Sequence, residues 1–360
     1  MRTVPRLPLL FCLVCSLPCE EIDVFEDVDV EIHRCVRSVK PIIVRSPTYD
    51  DINSSCEIAI VNNAVPVFGE NAFRDLNNLL KLKLINTSTA VLRPGFLNNV
   101  ANLVAVTVTS NNITEIRGGV FGGLDIKYLR LASNEISVIS SRAFDDMSRL
   151  VLIDLGQNRL TAIDGRWFHN APNLRSINLS GNCVERVDVD ALRNVKDNQD
   201  VDVSLARNGI AQLHARAFEN FADLRRLDLK GNKLSRLPDE FFAKFARVGH
   251  VNLSFNNLTC PVQDVSSLRT IDNLYLVGND LGCDCLLALT KFVAKNANFV
   301  HYENAKGCPV LQFWWKLVHD ERRDRRNHNY WETLELCLKN AQKQKSETSA
   351  FVHNTQINTL

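Results

Sequence analysis

A recurring pattern of apolar residues runs through most of this chain, and one clear copy is LRRLDLKGNKLSRL at residues 224–237. A second copy, LVLIDLGQNRLTAI, lies at residues 150–163. Both match the template LxxLxLxxNxL, in which x is any residue. The alternating apolar residues predict a short strand with one face turned inward, and the asparagine lies where the chain must leave the strand.

The template fits ten times between residues 55 and 282. Its first positions are Ser55, Leu79, Leu103, Ile126, Leu150, Leu174, Asp200, Leu224, Val248 and Ile271. Later in each unit a pair of apolar residues three apart predicts a turn that closes the unit. One unit cannot bury both its strand and this turn, so the units must stack. The expected α/β fold is a solenoid with a curved parallel sheet on its concave side and short helices or irregular coil on its convex side.

Two departures from the template predict local irregularities. Thr87 stands where the other repeats carry the asparagine, whose amide we expect to bond backbone groups at the bend. Asp200 stands at an apolar position after a longer spacing, and we expect a bulge near residues 197–200.

Composition and the first residues narrow the class of protein. A 360-residue chain with 45% hydrophobic residues can bury a large core, and its formal charge of +1 gives no general attraction to nucleic acid. Residues 1–16 carry arginines and then a short apolar run, which is typical of a secretory signal peptide whose cleavage could extend to residue 19. We therefore expect a secreted, extracellular protein with no membrane anchor and no nucleic-acid partner.

The repeats, followed by Cys283, Cys285, Cys308 and Cys337, resemble the extracellular leucine-rich repeat family with cysteine-bearing caps. The layout is also similar to that of leucine-rich immune proteins secreted by insects. The resemblance implies an N-terminal cap at 17–56, repeats at 55–282, a C-terminal cap at 283–337 and a polar tail at 338–360. It further implies that Cys283 bonds Cys308 and that Cys285 bonds Cys337.

The remaining cysteines leave alternatives open. Cys35 and Cys56 are expected to close the N-terminal cap by a disulfide. Cys260 occupies the same repeat position as Cys283, so the two could pair instead and change the cap connectivity. Cys183 stands apart, either as a half-buried free thiol or as the site of a disulfide to a second chain. An oligomer, covalent or non-covalent, is therefore one expectation.

Candidate surface sites follow from sequence motifs and from the strand positions that point outward. Glycosylation sequons begin at Asn53, Asn86, Asn112, Asn178, Asn252 and Asn257. The candidate binding residues of the concave face are Tyr128, Arg130, Arg226, Lys230, His250, Phe255 and Tyr275.

No nucleophile elbow, phosphate loop or metal-ligand spacing occurs in the sequence, so we expect neither an enzyme nor a cofactor. The expected function is binding of another macromolecule, in the first place an extracellular protein, through the concave or lateral surface, with innate immune recognition as one setting. Two alternatives are a structural protein that bridges components of the extracellular matrix, and a soluble ligand or inhibitor of a cell-surface receptor.

Overall fold

The computed structural model describes residues 28–34, 42–45, 47–189, 191–195, 200–243, 245–296 and 299–301. The predicted signal peptide, Cys35, most of the predicted C-terminal cap with Cys308 and Cys337, and the polar tail lie outside the described residues. Within them, none of the helices combines the length and the apolar character needed to cross a bilayer.

One sheet of thirteen strands forms the concave side of the described part of the chain. The strands are β1 (Asp29–Arg34), β2 (Ile42–Arg45), β3 (Ser55–Val61), β4 (Lys81–Ile85), β5 (Ala105–Thr109), β6 (Tyr128–Arg130), β7 (Leu152–Asp154), β8 (Ser176–Asn178), β9 (Val201–Ser204), β10 (Asp223–Asp228), β11 (Arg247–Asn252), β12 (Ile271–Tyr275) and β13 (Phe299–His301). The order is β2, β1, β3 and then β4 to β13 in sequence. From β3 onward every pairing is parallel, so the predicted solenoid is confirmed.

The strands alternate as the template requires. In β10 Leu227 is fully buried, whereas Arg226 is exposed and Asp228 half-buried, and Leu229 just after the strand is again fully buried. The register sets Leu227 beside Val251 of β11, so apolar residues of adjacent repeats share one core. Polar side chains are left in rows on the concave face.

The convex side is built from short pieces and a core of phenylalanines. Two-residue strands pair between successive repeats, as Val67–Phe68 does with Val91–Leu92 and Phe73–Arg74 with Leu97–Asn98. Further pairs join Glu115–Ile116 to Val138–Ile139 and Arg186–Val187 to Gln212–Leu213. The 3-10 helices Gly165–Phe168 and Val265–Thr270 occupy equivalent places. Beneath them, the buried rings of Phe96, Phe121, Phe144 and Phe168 contact one another in a continuous row.

The buried asparagines form a ladder, as the sequence predicts. The Asn158 amide nitrogen donates to the carbonyls of Leu131 and Leu155, at 3.0 and 2.9 Å, and its oxygen accepts from the Ile136 N–H at 3.0 Å. Thus each such amide satisfies backbone groups of two adjacent repeats.

Thr87 keeps the ladder continuous at the repeat that lacks an asparagine. Its N–H and its hydroxyl both donate to the Asn111 side-chain oxygen at 2.8 Å, and its hydroxyl also contacts that of Thr89 at 2.7 Å. The Thr89 hydroxyl donates to the Val65 carbonyl at 2.8 Å. Two buried hydroxyls therefore replace one amide.

The first repeat is covered by antiparallel strands and a short helix. Strand β1 pairs antiparallel with both β2 and β3. Helix α1 (Tyr49–Asn53) precedes β3, and buried Ser55, at a position that is apolar in most repeats, donates its hydroxyl to the Asp51 carbonyl at 2.7 Å. Cys56 is disulfide-bonded; its predicted partner, Cys35, lies outside the described residues.

The expected irregularity in the seventh repeat is present, at a slightly later position. The pairing of β9 with β10 shifts register between Val201 and Asp202, so one residue of β10 has no counterpart. Asp200, the residue before β9, has a φ of +63°, which is a left-handed conformation. Residues 196–199, where the bulge was also expected, lie outside the described residues.

The disulfide at the end of the array corrects the expected cap connectivity. Cys260 bonds Cys285, with 5.6 Å between their Cα atoms. The predicted bond between Cys285 and Cys337 is therefore wrong, and so is the alternative bond between Cys260 and Cys283. Helix α2 (Cys283–Asn296) begins where the repeat path would continue, and its buried face carries Cys285 toward the last repeat. Cys283 is also disulfide-bonded; its predicted partner, Cys308, stays a prediction.

Peptide mapping under non-reducing conditions tests this connectivity. Because Cys283 and Cys285 both form disulfides, the oxidised protein must be cleaved beside Asp284 to separate them. This digestion should release a linked peptide that joins Cys260 to Cys285, and reduction should split it. A linked peptide that joins Cys285 to Cys337 would contradict the structure and restore the connectivity implied by the family resemblance.

Candidate binding surface

Five of the predicted binding residues lie on the strands β10, β11 and β12 or just after them. We define the C-terminal cluster as Arg226, Lys230, His250, Phe255 and Tyr275. Arg226 pairs in register with His250, and Tyr275 lies one strand further on. The rings of His250 and Tyr275 stack with their centroids 6.3 Å apart and an interplanar angle of 23°.

Phe255 is the most unusual member of the C-terminal cluster. Its side chain is 53% exposed, and its φ of +57° places the residue in the left-handed region. The equivalent residue of every other repeat also has a positive φ, so the turn imposes this conformation. These residues are Asn62, Asn86, Ser110, Ser133, Gln157, Gly181, Arg207, Gly231 and Gly278. A bulky aromatic residue is the least suited to such a position.

The Phe255 ring is held in place on two sides. A Cβ atom at Gly278 would lie 2.6 Å from Cδ1 of Phe255, so the ring packs into space that only glycine leaves open. On the other side the Lys230 ammonium lies 5.1 Å from the ring centroid, within the range of a cation–π interaction. Gly278 was not identified from the sequence, although a glycine beside an aromatic residue at the same repeat position could have indicated the contact.

Tyr128 and Arg130 form a separate patch. The Arg130 guanidinium lies 5.8 Å from the Tyr128 ring centroid. Both lie on β6, four strands from β10, which amounts to roughly 19 Å at the usual strand spacing. The structure therefore divides the predicted binding residues into two patches on one face.

The sequons occupy different faces. Asn178 and Asn252 lie on the concave strands, where Asn252 pairs in register with Tyr275. The Asn178 amide nitrogen donates to Asp154 at 2.8 Å. Asn86, Asn112 and Asn257 are exposed, and Asn53 is half-buried. A glycan on Asn252 would lie beside the C-terminal cluster.

At the other end of the concave face, the carboxylate of Glu57 pairs with two lysines. Burial alone would raise the pKa of Glu57, but hydrogen bonds and charge attraction from Lys83 and Lys81 hold that pKa below its usual value. The Lys81 ammonium lies 3.3 Å from the carboxylate. Two ammonium groups share this one carboxylate, so the group keeps one positive charge in excess.

Cys183 is a free thiol and is exposed, where the sequence suggested half-burial. It follows the ladder residue Asn182, and its N–H donates to the Leu160 carbonyl at 2.9 Å. A disulfide from Cys183 to a second chain stays a prediction.

Comparison with known proteins gives matches over the repeats. The sequence model described as "Leucine rich repeat" matches residues 101–160, 148–197 and 201–258. The human leucine-rich repeats and immunoglobulin-like domains protein 3 is 34% identical over 82 residues, which are 22% of this chain and 7% of that protein. This chain thus spans a small part of that relative.

Two solved structures share the fold. In a Toll–Spatzle complex, described as a hub of Drosophila development and innate immunity, the similar chain is 17% identical with a TM-score of 0.55, covering 71% of this chain and 38% of that one. In a complex of TLR13 with single-stranded RNA, it is 21% identical with a TM-score of 0.53, covering 60% of this chain and 32% of that one. At these identities the likeness shows the fold alone.

Proposed function

Because the chain belongs to the leucine-rich repeat family, we propose that it is a secreted protein that binds another extracellular protein through the C-terminal cluster of its concave face. One structural neighbour is described as a complex of Toll with Spatzle, which supports a protein as the partner. Innate immune recognition is the proposed setting, supported by the resemblance to secreted insect immune proteins.

The observation that carries this proposal is the exposed Phe255 in a left-handed turn. A left-handed conformation costs an L-residue with a Cβ about 1 to 2 kcal/mol, and exposing a phenylalanine to water adds a further cost. Asparagine or glycine would serve the turn better, as other repeats show. Because the turn imposes this conformation in every repeat, the unusual feature is the exposed aromatic side chain at this position, and such a choice points to a site.

The neighbours of Phe255 suit it to binding. The Lys230 ammonium and the Gly278 backbone fix the ring, so little side-chain entropy would be lost on association. Arg226, His250 and Tyr275 lie further back along the same strands and add polar and aromatic groups to the same face. An exposed and anchored aromatic residue is typical of hot spots of protein interfaces.

Phe255→Asn should separate binding from folding. We expect its free energy of unfolding to equal or exceed that of the wild type by up to about 1 kcal/mol, because asparagine tolerates the turn. Its affinity for the partner should fall at least about tenfold, as for a hot-spot aromatic. The matched control is Val138→Gln, since Val138 is also 53% exposed but lies on a convex strand, and glutamine there creates no glycosylation sequon.

A pull-down from extracellular fluid tests the proposal with these three proteins as bait, with and without reductant and with nuclease treatment. A protein recovered by the wild type and by Val138→Gln, but lost with Phe255→Asn, would support it. Recovery of a partner equally by all three proteins, of monomeric bait alone, or of a partner only through RNA would contradict it.

A further inference from the structure

A basic cavity opens on the lateral face of the solenoid, away from the C-terminal cluster. It measures about 280 Å³ and is lined by Lys127, Arg149, Val151, Asn173 and Arg175. These residues come from three successive repeats and lie just before the strands β6, β7 and β8. We propose that this cavity binds a compact oxyanion, namely a sulfate or phosphate ester group of an extracellular ligand.

The register of the strands creates the gap. The Val151 N–H donates to the Lys127 carbonyl at 2.9 Å, and the Arg175 N–H donates to the Val151 carbonyl at 2.9 Å. Lys127, Val151 and Arg175 therefore occupy the same place on three adjacent rungs, and the outer two lie roughly 10 Å apart at the Cα atoms. Two long cationic side chains thus flank a short apolar one, which leaves room between them.

The charge of the cavity is not neutralised by its neighbours. The Arg149 guanidinium bonds Asp125 at 2.9 Å, and on the far side Asp202 is paired with Arg225. Each of these carboxylates therefore already has an arginine. Within the described ranges, Lys127 and Arg175 take part in no salt bridge, so both cations can serve a bound anion.

The donor set suits a tetrahedral oxyanion. Arginine offers planar N–H donors that bond sulfate or phosphate oxygens in pairs, and lysine offers a compact positive charge. Asn173 is fixed in the wall, since its amide nitrogen donates to the Ser148 carbonyl at 2.7 Å. The volume corresponds to roughly nine water molecules, which accommodates an ester group and part of the sugar or side chain that carries it.

Calorimetric titration of the full chain at low salt tests this site with two probes, a fully sulfated heparin disaccharide and inorganic phosphate. We expect one site for at least one probe, and the probe that binds identifies the ester. The double variant Lys127→Gln, Arg175→Gln should raise Kd at least about tenfold, because it removes the two unpaired cations. Both residues lie at the surface, so the variant should keep the wild-type melting temperature.

The matched control is Arg247→Gln, which removes one positive charge from a later repeat, where the arginine is already paired with Asp272 and lies further from the cavity. It should bind the probe as the wild type does, and so should Phe255→Asn, because the cavity is independent of the C-terminal cluster. Absence of binding by both probes, unchanged binding by the double variant, or equal loss in Arg247→Gln would overturn the proposal.

Discussion

Phe144→Ala should lower the free energy of unfolding by about 4 kcal/mol, the cost typical of deleting a fully buried aromatic ring. The Phe144 ring has no exposed surface and lies between those of Phe121 and Phe168, with centroid distances of 6.4 and 5.6 Å. Its neighbours belong to rigidly stacked repeats, so they cannot close the cavity that alanine leaves. Denaturant unfolding followed by circular dichroism measures the change.

The control for Phe144→Ala is Val138→Ala in the same repeat. Val138 is exposed, so its truncation should change the free energy of unfolding by less than about 0.5 kcal/mol. A loss below about 1 kcal/mol for Phe144→Ala would show that the row of phenylalanines does not hold adjacent repeats together.

Asn158→Leu should lower the free energy of unfolding by about 3 kcal/mol, although it adds apolar surface to a buried position. The Ile136 N–H donates only to the Asn158 oxygen, so the substitution leaves a buried donor without a partner. The carbonyls of Leu131 and Leu155 lose one bond each but retain one from Asn134 and Asn182. The N–H therefore accounts for most of the loss.

Asn134→Leu is the matched control for the asparagine ladder. Within the described part of the chain, the Asn134 side-chain oxygen is buried and accepts no hydrogen bond. Its replacement leaves no N–H group without an acceptor. The loss in the free energy of unfolding should therefore be smaller than that of Asn158→Leu, and the difference should be about 1 kcal/mol or more. Equal losses at both positions, in the same denaturant titration, would contradict this account of the ladder.

The repeat spacing of the sequence predicts the features that the repeats share. It does not predict the structure of the segments that depart from this spacing. The inward leucines, the asparagine ladder and the outward position of Phe255 all follow from spacing alone. Cys285 was assigned to the wrong partner, Cys337, on the family resemblance. Extrapolating the repeat position of Cys260 into helix α2 pointed to Cys283, two residues before the observed partner. The eleventh repeat-like rung, Phe299–His301, was missed because it carries no leucine pattern.

Side-chain contacts between repeats also could not be predicted from motifs read along the sequence. The basic cavity arises because Lys127 and Arg175 lie two rungs apart with a valine between them, a relation that appears only when the second positions of the repeats are aligned. Likewise, the left-handed turn of Phe255 is recognised only when it is compared with the asparagines and glycines of other repeats.

Site-specific photo-crosslinking tests the central claim, that the C-terminal cluster binds a protein partner, most directly. Benzoylphenylalanine would replace Phe255 in one protein and Val138 in another, and each would be irradiated in extracellular fluid. We expect a discrete crosslinked protein from position 255 and none from position 138. Crosslinks from position 138 alone, or from neither position, would contradict the assignment of the concave cluster as the binding site.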